Sequence, residues 1–287
     1  ARINDAVGRY TVYLKESFPR ELSLEGVKVG LDCANGAGYV VAPQTLTELG
    51  ADVVSRGVSP SGRNINAGFG SLFPEVVGKL VVEQNLNVGI SLDGDADRCF
   101  FIDGSGEFIS GDFITALLAE AFLLKHPGST IIYDLRASHA VRDTAARMGG
   151  KALMNRVGHA FIKRRMRETN AVFGGEVTGH YYFRDNHYAD NGMIPALLIL
   201  ELMSKEGKTL RELLAPLREK YFISGEINTK LASMSDVEPK LVHDFVGDWI
   251  DLHAGAIFRV ATKHAGNKGV SQYRFTAVTA TGYTVAA

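Results

Sequence analysis

A short β-rich run at residues 27–33 is followed by a glycine-rich turn at 34–38. A helical stretch over 42–49 then stops at Gly50, and a new strand starts at Val53. Strand, turn, helix, strand is the signature of a βαβ crossover, which needs a sheet with helices packed on it. The pattern recurs. Residues 74–84 read as a helix and 87–92 as a strand. Residues 99–103 and 107–109 are short strands around the turn at 104–106, and 111–124 is a helix. Strands at 130–133 and 151–154 alternate with helices at 137–148 and 159–168. Short strands at 172–173 and 181–183 lead to helices at 189–204 and 210–217. Residues 126–129, His-Pro-Gly-Ser, read as a loop and a domain junction. Residues 5–17 form a helix with a ragged apolar face, ended by Pro19.

The texture changes after residue 222. A strand is expected over 223–231, a helix over 236–252, and β structure over 256–286, where Tyr273, Phe275 and Ala277 alternate with polar residues. The fold class is α/β. Two consecutive mixed-sheet α/β domains, 23–112 and 113–222, are followed by a smaller, atypical α+β domain, 223–287. A length of 287 residues suits that division.

Charge excludes several functions. Lys and Arg total 31 against 32 Asp and Glu, so no net field favours nucleic acid or an acidic membrane. The longest apolar stretches, 115–124 and 192–203, each contain a glutamate and fall short of the ~20 residues that span a bilayer. The two cysteines, Cys33 and Cys99, lie in strand-like runs. A soluble, cytoplasmic protein without a disulfide framework is expected. Nothing in the sequence specifies an oligomeric state.

Residues 93–98 read Asp-Gly-Asp-Ala-Asp-Arg. Asp93, Asp95 and Asp97 alternate with spacers small enough for the backbone to curl and bring three carboxylates together. Anions that close repel unless a cation lies among them. Hard oxygen ligands on a tight turn suit Mg²⁺, and Arg98 adds a fixed cation for a phosphate oxygen. A solvated acidic turn is the plain alternative. An EF-hand is excluded, because its sixth position would be Arg98 and its twelfth Gly104. The hexapeptide resembles the metal loop of the α-D-phosphohexomutase family. By that resemblance Asp93, Asp95 and Asp97 hold Mg²⁺ and Arg98 is catalytic.

Residues 175–180, Gly-Glu-Val-Thr-Gly-His, carry Glu176 and Thr178, which can bind vicinal sugar hydroxyls, and His180, which can move a proton or hold a phosphate. Alone, such a stretch is commonly just a turn. About 80 residues beyond the aspartates, it resembles the family's sugar loop, Gly-Glu-x-Ser-Gly-His, with Thr178 keeping the hydroxyl. The resemblance makes Glu176, Thr178 and His180 substrate ligands, with His180 also catalytic. It adds Arg156 and His159, from a basic residue and a Gly-His at this point, and Arg136. Ser138 precedes a helix without the family's Asn-Pro and reads as an N-cap, not a nucleophile. Lys163, Arg164, Arg165 and Arg167 read as a solvated helix face.

The resemblance runs over residues 5–230, with 188–195 and 225–228 most like bacterial phosphomannomutases. It implies interconversion of hexose 1-phosphate and 6-phosphate, with mannose or glucose phosphate as substrate and the choice among mannose, glucose and glucosamine left open, through a phosphoserine and a bisphosphate. It places residues 1–22 at the tail of a missing first domain, so the chain is expected to lack the phosphoserine segment and to be inactive alone. The family's C-terminal phosphate clamp is not found in 223–287, and 264–269 reads as a turn. The alternative is a non-catalytic module that binds Mg²⁺ and sugar phosphate.

Overall fold

The computed structural model describes residues 5–221 and the strand residues 227–228, 259–263, 270–279 and 282–286. The chain divides into two units, Ala1–Ala215 and Pro216–Ala287.

In the first unit, α1 (Ala6–Glu16) precedes β1 (Lys28–Asp32), α2 (Val41–Glu48), β2 (Asp52–Arg56), α3 (Pro74–Glu83), β3 (Val88–Leu92), β4 (Cys99–Asp103) and β5 (Phe108–Ile109). The sheet order is β2-β1-β3-β4-β5. β1 is parallel to β2 and β3, whereas β4 is antiparallel to β3 and β5. All five residues of β3 are buried, which is why its sequence is a run of apolar and small residues instead of an alternation. Val77, Leu80 and Val81 of α3 pack with Leu86 and Ile102 into one cluster beneath this sheet.

Next come α4 (Gly111–Lys125), β6 (Thr130–Asp134), α5 (His139–Arg147), β7 (Lys151–Asn155), α6 (His159–Thr169), β8 (Phe173–Gly175), β9 (Tyr181–Phe183), β10 (Ala189–Asp190) and α7 (Met193–Glu206). The second sheet, taken from its β7 edge, runs β7-β6-β8-β9-β10. β6 is parallel to β7 and β8, and β9 is antiparallel to β8 and β10. This is the strand order and orientation of the first sheet repeated. α8 (Leu210–Lys220) follows, opened by a reciprocal cap between Thr209 and Glu212.

Two expectations are corrected. Residues 126–129 connect α4 to β6 and do not mark a domain junction. The Phe122 ring of α4 stacks on Phe173 of β8, 5.1 Å between centroids, so α4 already belongs to the second sheet. The helix expected from residue 189 begins at Met193. Ala189 and Asp190 pair with β9, and Asn191 Oδ1 accepts from the N–H groups of Met193 and Ile194, 2.8 and 3.0 Å. That cap starts the helix where it is.

In the second unit β11 (Ile227–Asn228), β12 (Arg259–Lys263), β13 (Val270–Thr279) and β14 (Gly282–Ala286) form a sheet in that order. The β11–β12 pair is parallel and the other two are antiparallel. A register shift between Thr276 and Val278 breaks the alternation expected there. The helix expected at 236–252 and the turn at 264–269 lie outside the described residues.

Candidate active site

Side chains in open α/β sheets converge at the carboxyl ends of parallel strands, where the strand order reverses. In the first sheet that point lies between β1 and β3, and Asp93 follows β3 directly. Asp93, Asp95 and Asp97 each offer an oxygen, all within 4.8 Å of one another. Oxygens held at 2.0–2.1 Å from one Mg²⁺ lie at most about 4.2 Å apart, so a small closure of the loop meets that geometry. The all-carboxylate donor set fits a hard dication. Asp93 is buried and Asp95 exposed. Arg98 donates to Asp93 through its backbone N–H, 3.1 Å, and its Nε, 2.6 Å.

Partial burial pushes the Asp97 carboxyl up, His180 pulls it back, and Asp93, Asp95 and Asp190 push it up again. Beyond burial, three neighbouring carboxylates thus oppose the single pull of His180. The loop's shape is imposed by the turn after β1. Ala37 N–H donates to Gly94 O, 2.8 Å. Gly36 lies so close that a Cβ there would sit 2.2 Å from the same oxygen. Ala96 takes a left-handed φ of 62°, and its carbonyl accepts from Gly192 N–H, 3.0 Å.

In the second sheet the equivalent point lies between β6 and β8. The fully buried Asp134 ends β6. Its Oδ1 accepts from Arg136 N–H, 2.6 Å, and its Oδ2 accepts from Val177 N–H, 2.7 Å, while the Arg136 guanidinium grips both oxygens. Arg136 Nη2 donates on to Thr178 Oγ1, 3.4 Å, and that oxygen lies 3.2 Å from His180 Nδ1. Arg136, Thr178 and His180 are therefore one contiguous group. Glu176 joins it from below. It is 1% exposed, with Oε1 accepting from Gly158 N–H, 3.1 Å, and Oε2 from the Tyr182 hydroxyl, 2.6 Å. Glu176, expected by resemblance to bind the sugar, has its carboxylate buried and accepting these two bonds. Ser138 caps α5, its Oγ accepting from Ala140 N–H at 3.3 Å.

The two loops meet. Arg98 and His180 form an antiparallel bridge, and Cys99 N–H donates to Gly179 O, 3.0 Å. His180 Nε2 lies 3.5 Å from Asp97 Oδ1. Arg156 and His159 are exposed at the rim. Arg156 lies over the Phe161 ring, 3.8 Å away, and His159 Nδ1 is 3.4 Å from Lys163 Nζ. Lys163, read as part of a solvated face, pairs with Asp190 at 2.6 Å. Asp190 also stands with Asp97 and His180 in a second close group. Asp134, Tyr182 and Asp190 were not singled out by sequence. The only local signal was for Asp134, an acid closing a strand two residues before Arg136.

An aspartate loop and a Glu-Thr-His loop thus stand at the switch points of two sheets with the same strand order, the architecture of a tandem α/β protein. The chain belongs to the phosphoglucomutase/phosphomannomutase family. It matches alpha/beta/alpha domain II over residues 9–106 and domain III over 110–221. A phosphoglucosamine mutase of Geobacter metallireducens is 46% identical over 215 residues, 74% of this chain and 48% of that protein. One from Nitratidesulfovibrio vulgaris is 39% identical over 273 residues, 94% of this chain and 60% of that protein. That second match extends well past residue 222, into the region whose sequence carries no phosphate-clamp motif. The chain spans roughly half the length of these relatives. A solved phosphoglucomutase/phosphomannomutase family protein from Burkholderia thailandensis superposes with TM-score 0.67 at 26% identity, covering 75% of this chain and 46% of that one. No described helix is long and apolar enough to cross a membrane.

Proposed function

We propose that this chain supplies the metal-binding and sugar-binding parts of a phosphohexomutase acting on glucosamine phosphate, interconverting its 1- and 6-phosphates. The observation that carries this reading is the direct bridge between the aspartate loop and the sugar loop at Arg98 and His180. The choice of glucosamine over mannose or glucose rests on the two phosphoglucosamine mutases at 39% and 46% identity. Asp93, Asp95 and Asp97 are the residues that would hold Mg²⁺. The ion supplies neutralisation of charge on a phosphoryl group in transfer. Arg98, fixed by Asp93, presents a cation to the phosphate, and Arg136, fixed by Asp134, presents another beside Thr178. His180 stands between Asp97 and Thr178, placed to hold or pass a proton at Nε2 or Nδ1. The buried free thiols Cys33 and Cys99 support a cytoplasmic setting.

A non-catalytic module that binds Mg²⁺ and sugar phosphate is the second reading. Its one point of support is that Ser138, buried and capping α5, has a structural role. Calorimetric titration with glucosamine 6-phosphate, with and without Mg²⁺, tests the shared core of both. Mg²⁺-dependent binding that is lost in Asp95→Asn is expected. Equal binding by both proteins, or a clear preference for mannose 6-phosphate, would overturn the site or the substrate respectively. Turnover by the full-length protein separates enzyme from module.

A further inference from the structure

Glu176 heads the loop assigned above to the sugar, yet its carboxylate is turned inward. A buried carboxylate needs donors, and bonds to a charged acceptor are the strong ones. It has two. Gly158 N–H comes from the 156–159 turn between β7 and α6, and the hydroxyl comes from Tyr182 in β9. Gly158 holds a φ of 120°, a conformation open to glycine that aims its amide at Oε1. Burial, then the Glu176 charge, hold the Tyr182 phenol far above the ordinary tyrosine range, so it stays a donor at every working pH. The Tyr182 ring is fully buried and stacks near His180, 6.3 Å between centroids. One carboxylate thus ties a turn, a loop and a strand together. Those segments carry the exposed Arg156 and His159 and the half-buried Thr178 and His180.

We propose that Tyr182 is a positioning residue: through Glu176 its hydroxyl locks the 156–159 turn to the 175–180 loop, so that His159, Thr178 and His180 meet a sugar phosphate as one rigid edge. The substrate part rests on the function proposed above, whereas the lock does not. Tyr182→Phe removes the hydroxyl and keeps the ring, so the packing survives. The loss of a charge-assisted hydrogen bond raises local opening by about ten-fold or more.

Amide hydrogen exchange on the parent and on Tyr182→Phe reads the lock. Exchange about ten-fold faster at 156–159 and 176–179 is expected, with 28–32 and 88–92 unchanged. Unchanged exchange at 156–159 would overturn the lock. A uniform rise across the first unit would also overturn it, because that is simple loss of stability. Affinity for glucosamine 6-phosphate reads the positioning. Tyr182→Phe and Glu176→Gln should each weaken it about ten-fold, and the double variant should be little worse than either, since they act as a unit. Additive losses would overturn the positioning role. Failure of the parent to bind any sugar phosphate would overturn the proposed function, and the exchange result would still decide the lock.

Discussion

Gly36→Ala should loosen the aspartate loop from behind. Gly36 has φ −106° and ψ −164°, ordinary extended backbone, so alanine meets no conformational penalty and the cost is steric. The new Cβ would lie 2.2 Å from Gly94 O and 2.7 Å from its carbonyl carbon and Cα. All three are backbone atoms and cannot swing aside, so the loop must retreat by about 1 Å, an overpacking cost of roughly 1–3 kcal/mol. The bond from Ala37 N–H to Gly94 O goes with it, adding about 1 kcal/mol. The sum is about 2–4 kcal/mol, or a Tm lower by roughly 5–15 °C for a unit of this size. Gly94 sits between Asp93 and Asp95, and a shift of about 1 Å carries their oxygens out of a 2.0–2.1 Å shell. Mg²⁺ affinity should fall at least about ten-fold, which is a loss of roughly 1.4 kcal/mol. Urea unfolding by circular dichroism and calorimetric Mg²⁺ titration measure the two effects. Gly26→Ala is the control. Its φ is 83° with nothing within 4 Å of a Cβ, so it should lose about 1–2 kcal/mol to backbone strain and bind Mg²⁺ normally. A Gly36→Ala protein with the parent's Mg²⁺ affinity would refute this account of what shapes the loop.

Asp95→Asn should abolish Mg²⁺ binding yet leave the metal-free urea midpoint equal or higher, because it relieves repulsion at an exposed site; a lowered midpoint would contradict the repulsion argument. Burial pushes the Cys33 thiol up to about 12, and Cys99 lies well above its usual value too. Neither should react with a disulfide reagent at pH 8 until denaturant is added, and prompt native labelling of either would show that its strand is not packed as described. Asn191→Ala should lower stability by about 1–2 kcal/mol through loss of the α7 cap. An unchanged urea midpoint would mean those two N–H groups find other acceptors.

Much of this architecture is legible one segment at a time. Strand and helix periods differ, and Gly or Pro marks most ends, so the alternation shows directly. The aspartate loop is legible for a related reason: all three carboxylates come from one turn, and their chemistry needs no distant partner. What sequence does not show is set across the chain. Residues 189–204 look helical throughout, but Ala189 and Asp190 have β9 beside them, and pairing overrides propensity. His126-Pro-Gly-Ser marks a turn, but which sheet α4 covers is decided by Phe122 against Phe173. Glu176 in a glycine-framed loop suggests an open ligand. Its inward rotamer depends on Tyr182 and on Gly158, 18 residues earlier. Lys163 looks like one charge among four, until Asp190 is placed opposite it.

The repeated strand order has a consequence at the centre of the site. Arg98 directly precedes β4, the fourth strand of its sheet, and His180 directly precedes β9, the fourth strand of the other. They occupy the same address in two copies of one plan, and they pair antiparallel. A contact between equivalent positions is isologous, the kind a dyad builds between the subunits of a symmetric dimer. Here both partners lie in one chain, so each hairpin tip is a template for the other. An extra residue in either tip would turn the paired side chains to opposite faces, drawing His180 away from Asp97. The β3–β4 connection of six residues and the β8–β9 connection of five are therefore each held to their own length by the same bridge.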